Sequence, residues 1–292
     1  MSVMNGGLIM LSEMLSKLPP SESKIASYIL QHPQEAISLT ANELGRRSNT
    51  SGAAVIRLCK SLDLKSFQDL KLRIAGDLHK TEEHGFRDIE PKESISSIIE
   101  KMTNNSIHTI RETSELLSND ELTKAVNAIQ RAKTIHFFGV GASNIIAKDA
   151  QQKFLRINKY ANAFSDLHLA ATAIANTGSD DVVVGISFSG QTQEVAKLLE
   201  LAKHKGAVTI SLTKYGSSIV SNQADYRLYT SATKEPTFRS GATSSRIAQL
   251  HVIDILFMCV ASQEYEETVK HLDETREAID FIAKNHNSRT KG

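Results

Sequence analysis

The spacing of apolar residues predicts that the N-terminal part of the chain is helical throughout. Val55, Leu58, Cys59 and Leu62 fall at positions i, i+3, i+4 and i+7, which places them on one face of a helix. Comparable spacing recurs in the neighbouring segments, which are separated by prolines, a Ser-Asn pair and charged residues. The pattern predicts helices over about 19–33, 39–48, 50–62, 66–78, 97–117 and 120–132.

A different pattern begins at Lys133, where apolar runs typical of buried strands alternate with amphipathic helical segments. This alternation predicts a parallel sheet with helices on both faces. The fold class is therefore α/β, an all-α domain followed by a doubly wound parallel-sheet domain. The predicted strands cover 134–141, 161–165, 181–189, 207–213 and 226–230, and the predicted helices cover 143–157, 167–176, 192–205 and 243–262.

Between the two patterns, residues 80–96 are charged, contain Gly85 and Pro91, and show no clear apolar period. We interpret this stretch as a linker, which divides the chain into domains at 1–79 and 97–292. The polar tail, from about 264, is predicted to be helical and then frayed.

The overall composition excludes several classes of protein. The 292 residues carry a formal net charge of +1, so the molecule as a whole does not attract nucleic acid. Cys59 and Cys259 each stand among apolar residues, which favours two reduced thiols over a disulfide or a metal site. The chain has no apolar run of 18 residues and no signal-peptide pattern, so we expect a cytoplasmic protein without a membrane partner.

The segment around the third predicted helix is basic, although the whole chain is close to neutral. Between Leu44 and Arg73, seven basic residues stand against two acidic ones. When the apolar face packs inward, Ala53, Arg57 and Lys60 face outward, where basic side chains can neutralise phosphates. A solvated three-helix unit would also carry such charges, but the short turn before this helix favours a helix-turn-helix that reads double-stranded DNA.

The residues at the start of that helix fit the same interpretation. Small residues let a helix N-terminus approach phosphates and base edges, and an Asn in the turn tolerates the left-handed conformation. Thr40 and Glu43 have the spacing of a capping box at the start of the preceding helix. The residues predicted to bind DNA are Arg46, Arg47, Asn49, Thr50, Ser51, Gly52, Ala53, Arg57 and Lys60.

The stretch ELGRRSNTSGAAVIRLCKSLDLKSFQDLK, residues 43–71, resembles the N-terminal domain of the RpiR/MurR family of bacterial transcription regulators. Ala54 stands where that family commonly has Thr, and Asp63 and Ser66 stand where it commonly has Gly. The resemblance implies an operator-binding helix-turn-helix domain without defining the operator sequence. The residues that fit the family pattern are Ser51, Val55, Arg57, Leu62, Phe67 and Lys71.

Two loops rich in glycine and hydroxyl residues follow predicted strands of the sheet. They are GVGAS, residues 139–143, and SFSGQT, residues 187–192. Ligands of open parallel sheets bind outside the carboxyl ends of the strands, and backbone N–H groups at a helix N-terminus favour an anion. The hydroxyls of Ser143, Ser187 and Ser189, with Thr192, can donate to phosphate oxygens, so the loops suit a sugar phosphate.

Two other interpretations of these loops fit less well. The first loop begins like a dinucleotide-binding fingerprint, but Asn144 replaces its third glycine and no acidic residue ends the second strand. Asp166 and His168 lie near each other in sequence, but the chain has no G-x-S-x-G elbow for a hydrolytic serine. We therefore expect no cofactor and no metal.

The two loops together resemble the marks of the SIS (sugar isomerase) domain, G-x-G-x-S after the first strand and S-x-S-G-x-T after a later one. The resemblance covers about 120–262 and implies a flavodoxin-like α/β/α fold in three layers. It also implies that Glu235 and Arg239 close over the site, while Arg246 is interpreted as structural. The residues that it implies for phosphosugar binding are Gly141, Ser143, Ser187, Ser189, Gln191, Thr192 and Glu235.

SIS domains occur in isomerases and in regulators, and the fused DNA-binding unit favours a regulator. The possible general bases, Glu194, His168 and Glu235, each have a structural explanation, so we expect no enzyme activity. The expected protein is a repressor of sugar or amino-sugar catabolism genes, controlled by a phosphosugar such as N-acetylmuramic acid 6-phosphate. The alternative is an SIS-type phosphosugar isomerase or lyase with an accessory helical domain. A homodimer or homotetramer is expected, because helix-turn-helix proteins bind paired half-sites.

Overall fold

The computed structural model describes residues 6–78, 89–232 and 242–289. The chain forms two compact units, which are described one at a time below. The first consists of Met1–Leu117, Lys214–Gly216 and Tyr229–Ala248, and the second of Ser118–Thr213, Ser217–Leu228 and Gln249–Gly292.

The first unit contains the helical part of the chain, and the predicted helices are present. The helix predicted to begin at 97 starts at Ile95 and belongs to this unit, while residues 80–88 of the predicted linker lie outside the described residues. The domain boundaries therefore stay a prediction. The helices are α1 (Gly7–Met14), α2 (Pro20–Gln31), α3 (Pro33–Ala36), α4 (Ala41–Arg47), α5 (Gly52–Ser61), α6 (Phe67–Leu78) and α7 (Ile95–Leu116).

Helix α1 has no counterpart among the predicted helices because it depends on contacts distant in sequence. Its apolar side chains show little helical periodicity, and Met10, Leu11 and Met14 are all buried. Its N-terminus is capped from α6, where the carboxylate of Asp77 accepts from the N–H groups of Gly6 at 2.7 Å and Leu8 at 2.8 Å.

The core of the first unit is formed by apolar faces of these helices. The face of α5 predicted from the sequence is buried, and Cys59 lies within it as a free thiol. Fully buried side chains from four further helices pack in the same cluster, which explains why short helices are stable here. They include Leu11, Ile25, Ile29, Leu44, Leu70 and Ile74.

The second unit is built on a five-stranded sheet in the order β2-β1-β3-β4-β5, as the doubly wound prediction requires. Strand β1 pairs in parallel with β2 on one side and β3 on the other, and β3 pairs in parallel with β4. The last residues of β4 and β5 are counted with the first unit. The strands are β1 (Thr134–Gly139), β2 (Tyr160–Phe164), β3 (Asp181–Ile186), β4 (Val208–Lys214) and β5 (Tyr226–Thr230).

Helices cover both faces of this sheet, which makes three layers. Phe138 packs with α10 and α11 on one face, while Phe137 lies 5.5 Å from Phe154 of α9, measured between ring centroids. Alternate residues of a strand point to opposite faces, so the two phenylalanines identify the two layers. The helices are α8 (Asn119–Arg131), α9 (Ala142–Leu155), α10 (Leu167–Ile174), α11 (Gln193–His204), α12 (Ser244–Gln263) and α13 (Tyr265–Arg289).

Helix α12 is the one described helix that is long and apolar enough to cross a membrane by length and composition. Half of its most apolar window is buried inside the protein, and Val252, Ile253 and Leu256 are almost inaccessible to solvent. Phe257 meets the edge of Phe154 with the ring centroids 5.7 Å apart. These contacts are those of a core helix that covers the sheet.

Candidate functional site

Helix α4 begins and ends as its sequence dictates. The capping box at its start is confirmed, because Thr40 Oγ1 accepts from the Glu43 N–H at 3.3 Å and Glu43 Oε2 accepts from the Thr40 N–H at 2.7 Å. These bonds to the carboxylate lower the pKa of Glu43. At the other end, Asn49 adopts φ +52°, and the N–H of Thr50 donates to the Gly45 carbonyl at 2.7 Å. The left-handed turn predicted at Asn49 therefore closes α4 and starts α5 in a new direction.

Two glycines let α4 and α5 cross closely. A Cβ atom on Gly45 would lie 2.5 Å from the carbonyl carbon of Ser51. A Cβ atom on Gly52 would lie 2.1 Å from Oδ1 of Asn42. Gly52 is therefore tightly packed at the helix crossing, and its predicted close approach to DNA stays a prediction.

The predicted DNA-facing surface of α5 is exposed. Ser51 caps the helix by accepting from the Ala54 N–H at 3.3 Å, and Thr50 turns its hydroxyl inward to Ser48 and Gly45. Ile56, which the sequence reasoning did not select, lies on the outward face and is 45% exposed. Of the residues predicted to bind DNA, Thr50 and Gly52 are half-buried, and the exposed ones are Arg46, Arg47, Asn49, Ser51, Ala53, Arg57 and Lys60.

Two of these arginines approach carboxylates that the sequence reasoning did not select. Arg57 Nε lies 3.7 Å from Oε1 of Glu22, and Arg47 Nη2 lies 3.5 Å from Oε1 of Glu35. Glu22 is buried and also accepts from the Ser61 hydroxyl at 2.7 Å. The partners come from α2 and α3, so spacing within the helix-turn-helix gave no signal for them.

In the second unit, the two glycine- and hydroxyl-rich loops start side by side. Gly139 at the end of β1 is directly paired with Ile186 at the end of β3. The chain leaves β1 toward β2 on one side and returns to β3 on the other, so this pair marks the topological switch point of the sheet. Ligands of doubly wound sheets bind at such a point.

The loop 187–192 is shaped by hydrogen bonds between its own residues. Ser187 is buried, and its Oγ accepts from the Gly190 N–H at 3.2 Å and lies 2.8 Å from Thr192 Oγ1. Ser189 and Gln191 are exposed, and the Gln191 N–H donates to Ser189 Oγ at 3.1 Å. Thr192 makes no side-chain cap to α11, which begins at the next residue. Ser187 and Thr192 thus shape the loop, while Ser189 and Gln191 face solvent at a helix N-terminus.

A second serine cluster supports this loop, and the sequence reasoning did not select it. Gly190 adopts φ +69°, and a Cβ atom there would lie 2.4 Å from Ser218 Oγ. Ser218 is buried, and its hydroxyl donates a hydrogen bond to Ser221 Oγ. The Val220 N–H donates to the Gly190 carbonyl at 3.1 Å. The run Ser217, Ser218 and Ser221 after β4 was a visible signal in the sequence.

The first loop offers open space beside a buried hydroxyl. Gly141 adopts φ +60°, and a Cβ atom on it would meet no atom of the described residues within 4 Å. Ser143 is buried, and its Oγ accepts from Gln249 Nε2 at 3.2 Å. Gln249 lies on α12, 106 positions away, so no local pattern pointed to it.

The other residues singled out from the sequence lie either at helix starts or outside the described residues. Glu235 and Arg239 lie outside the described residues. Arg246 is half-buried in the first turn of α12. Glu194 and His168 are exposed at the starts of α11 and α10.

The helix-turn-helix and the doubly wound sheet define a DNA-binding transcriptional regulator, and comparisons with known proteins give its family. The model of the helix-turn-helix domain of the rpiR family matches residues 5–81, and the model of the SIS domain matches residues 128–259. The chain belongs to the rpiR family of helix-turn-helix transcriptional regulators with an SIS domain. The expected family and fold class are thereby confirmed.

Relatives match this chain over nearly its whole length. The uncharacterized HTH-type transcriptional regulator YbbH of Bacillus subtilis (strain 168) is 54% identical over 274 residues, which cover 94% of this chain and 97% of YbbH. The uncharacterized HTH-type transcriptional regulator TTE0211 of Caldanaerobacter subterraneus is 43% identical, with 93% of this chain and 96% of TTE0211 covered. Among solved structures, the Vibrio vulnificus NanR protein complexed with ManNAc-6P aligns with TM-score 0.59 and 26% identity, covering 94% of this chain and 98% of NanR.

Proposed function

We propose that this regulator is a cytoplasmic repressor of sugar or amino-sugar catabolism genes, and that a phosphosugar bound to its SIS domain controls its affinity for an operator. The observation that carries the proposal is the pair of loops that leave Gly139 and Ile186 at the topological switch point. The solved structure of NanR, a protein of similar fold, holds ManNAc-6P, which supports an amino-sugar phosphate as the class of effector. N-acetylmuramic acid 6-phosphate belongs to that class.

The phosphate would bind where the structure concentrates uncharged donors. Ser189 and Gln191 are exposed beside the first turn of α11, which carries no side-chain cap from Thr192. The open side of Gly141 leaves room for the sugar, and Ser143 with Gln249 would form the floor beside it. Such donors match a dianionic phosphate without adding charge to the site.

DNA would be read by the exposed face of α5. Arg57 and Lys60 point away from the buried face, and Arg46 and Arg47 extend the positive charge onto α4. The basic side chains would supply phosphate affinity, while the first turn of α5 would meet base edges in the major groove. A homodimer would present two such helices and a homotetramer four. Exposed apolar residues on α7 and α12, including Ile99 and Met258, support a subunit interface that involves these helices.

A pair of variants tests the two sites separately in a gel-shift assay, on a duplex selected from random sequence by the wild-type chain. Arg57→Ala is expected to weaken operator binding by about 10- to 100-fold while sugar-phosphate affinity is kept. Ser189→Ala is expected to keep operator binding and to require roughly tenfold more effector for the same response. Comparable operator affinity in the first variant, or an unchanged response curve in the second, would contradict the proposed sites.

Two controls complete the test. Ser179→Ala alters an exposed serine in the loop before β3, at the opposite end of the strands, and should leave the response unchanged. Thermal unfolding with a panel of sugar phosphates identifies the effector, since a ligand that binds only the folded state raises the melting temperature. Inorganic phosphate serves as the reference ligand. Turnover of a hexosamine phosphate without DNA binding would favour the isomerase or lyase alternative.

A further inference from the structure

The arginine on the proposed DNA-reading face of α5 forms an ion pair with a buried acidic residue on a neighbouring helix. Glu22 of α2 is 4% exposed, whereas the side chain of Arg57 on α5 is 56% exposed. Glu22 Oε2 accepts from the Ser61 hydroxyl at 2.7 Å, and Oε1 lies 3.7 Å from Arg57 Nε. The carboxylate therefore bridges two residues one turn apart on the helix that is proposed to read DNA.

A buried carboxylate is costly unless it has partners, so its position here requires an explanation. Ser61 fixes one oxygen with a short hydrogen bond, and this leaves the other oxygen directed at the guanidinium of Arg57. The 3.7 Å between Arg57 Nε and Glu22 Oε1 is the distance of an ion pair and not of a hydrogen bond. The contact therefore limits the orientations of the arginine side chain but does not fix a single one.

The atom that faces Glu22 determines what the arginine can still do. A guanidinium held from the Nε side keeps its terminal Nη groups, which form the fork that contacts phosphate or guanine bidentately. A free arginine side chain samples many rotamers, and it loses part of this rotamer entropy when it binds. Restraining the side chain before DNA arrives reduces that loss at the contact that needs a defined geometry.

We propose that Glu22 is a positioning residue for operator recognition, which holds Arg57 in the orientation that discriminates the operator from other DNA. This inference rests on the proposed role of Arg57 in the function above. A negative charge near DNA also weakens all DNA binding, whatever its sequence. The ratio of operator affinity to scrambled-duplex affinity separates the two effects, because general repulsion changes both affinities alike.

The test measures that ratio for Glu22→Gln in the full-length chain, with the selected operator and a scrambled duplex of equal length at fixed salt. The amide oxygen of Gln still accepts from Ser61, but the charge that restrains Arg57 is gone. We expect the ratio to fall about fivefold, with scrambled-duplex affinity unchanged or raised. The same substitution in an Arg57→Ala background should leave the ratio unchanged, because the residue being positioned is absent.

Asp63→Asn provides the matched control. Asp63 is exposed just beyond α5, so this variant makes the same change in charge without touching Arg57, and Asn tolerates the left-handed backbone there. Its ratio should stay within about twofold of wild type. Retained scrambled-duplex binding and an unchanged unfolding transition establish that each variant is folded.

The outcomes separate this inference from the proposed function. An unchanged ratio in Glu22→Gln, an equal fall in Asp63→Asn, or a further fall in the Arg57→Ala background would overturn the positioning role. If Arg57→Ala itself leaves operator binding intact, the proposed reading surface fails, and the positioning role fails with it.

Discussion

Two residues with positive φ close the helices of the helix-turn-helix, Asn49 at +52° and Asp63 at +57°. The sequence alone predicted the first, because Asn between two amphipathic segments is a common left-handed residue. The second was visible only through the family resemblance, in which Gly is usual at that position. At Asp63 the N–H donates to the Lys60 carbonyl at 3.0 Å, and the Leu64 N–H donates to the Cys59 carbonyl at 2.9 Å. This is the Schellman arrangement that normally places glycine at the left-handed residue.

Asp63→Gly is therefore expected to stabilise the first unit. Glycine removes the steric cost of the left-handed backbone, although its greater freedom in the unfolded chain offsets part of the gain. The net increase in the free energy of unfolding should be up to about 1 kcal/mol. Denaturant unfolding of the two proteins measures it. Asp63→Ala should be less stable than wild type, because Ala tolerates the left-handed backbone less well than Asp does.

At the scale of elements, periodicity was sufficient wherever an element has one apolar and one polar face. Helix α5 was found for this reason, whereas the strands of the sheet were found from apolar runs that are buried on both faces. The order of these elements gave the loops at the switch point. Helix α1 lacks such a face, and its N-terminus depends on Asp77 at the other end of the domain. Ser143 illustrates the same limit within the site, since its partner Gln249 lies on a different helix.

At the crossing of α4 and α5, packing predicts that a Gly-to-Ala substitution destabilises the protein, whereas helix propensity alone predicts the opposite. Alanine is favoured over glycine by about 1 kcal/mol inside a helix. At Gly45, however, the added methyl group would lie 2.5 Å from the Ser51 backbone, which cannot move without displacing the start of α5. We expect Gly45→Ala to lower the free energy of unfolding by about 1–3 kcal/mol and to weaken operator binding.

Gly52→Ala is the matched variant for that experiment. Its methyl group would meet Oδ1 of Asn42, the end of a side chain that can rotate away. Thermal unfolding and gel shifts should therefore show a smaller loss for Gly52→Ala than for Gly45→Ala. Equal losses in the two variants would show that the contact of Gly45 with the Ser51 backbone does not limit how closely α4 and α5 approach each other.

At the scale of the whole chain, the contacts that could not be predicted are those between segments far apart in the sequence. Within the first unit, the hydroxyl of Tyr215 donates to the Leu62 carbonyl at 2.6 Å, and burial raises the pKa of that phenol well above its usual range. Glu13 Oε1 accepts from the Ala232 N–H at 2.7 Å, across 219 positions. No local pattern specifies either bond, because each depends on how the chain returns to the first unit.

The burial of Glu13 makes the stability of the protein depend on pH. Burial is the main cause that raises the pKa of Glu13 from 4.5 to about 7, with a further rise from Glu112, while the bond from Ala232 and the charges of Lys17 and Lys214 oppose it. Between pH 4.5 and 7 the folded state keeps a proton that the unfolded chain has released. The stabilisation from this proton is full below pH 4.5 and is lost as the pH rises through about 7.

Glu13→Gln removes this titration, so its stability relative to wild type should increase from pH 5 to pH 8. The full shift corresponds to a change of at most about 3 kcal/mol in the free energy of unfolding, and melting temperatures at the two pH values would measure it. Glu43→Gln is the control, since the pKa of Glu43 is lowered and that carboxylate is ionised throughout this range. A constant difference between Glu13→Gln and wild type at both pH values would mean that Glu13 is already charged in the folded protein at pH 5. The Ala232 contact would then hold a carboxylate rather than a neutral acid.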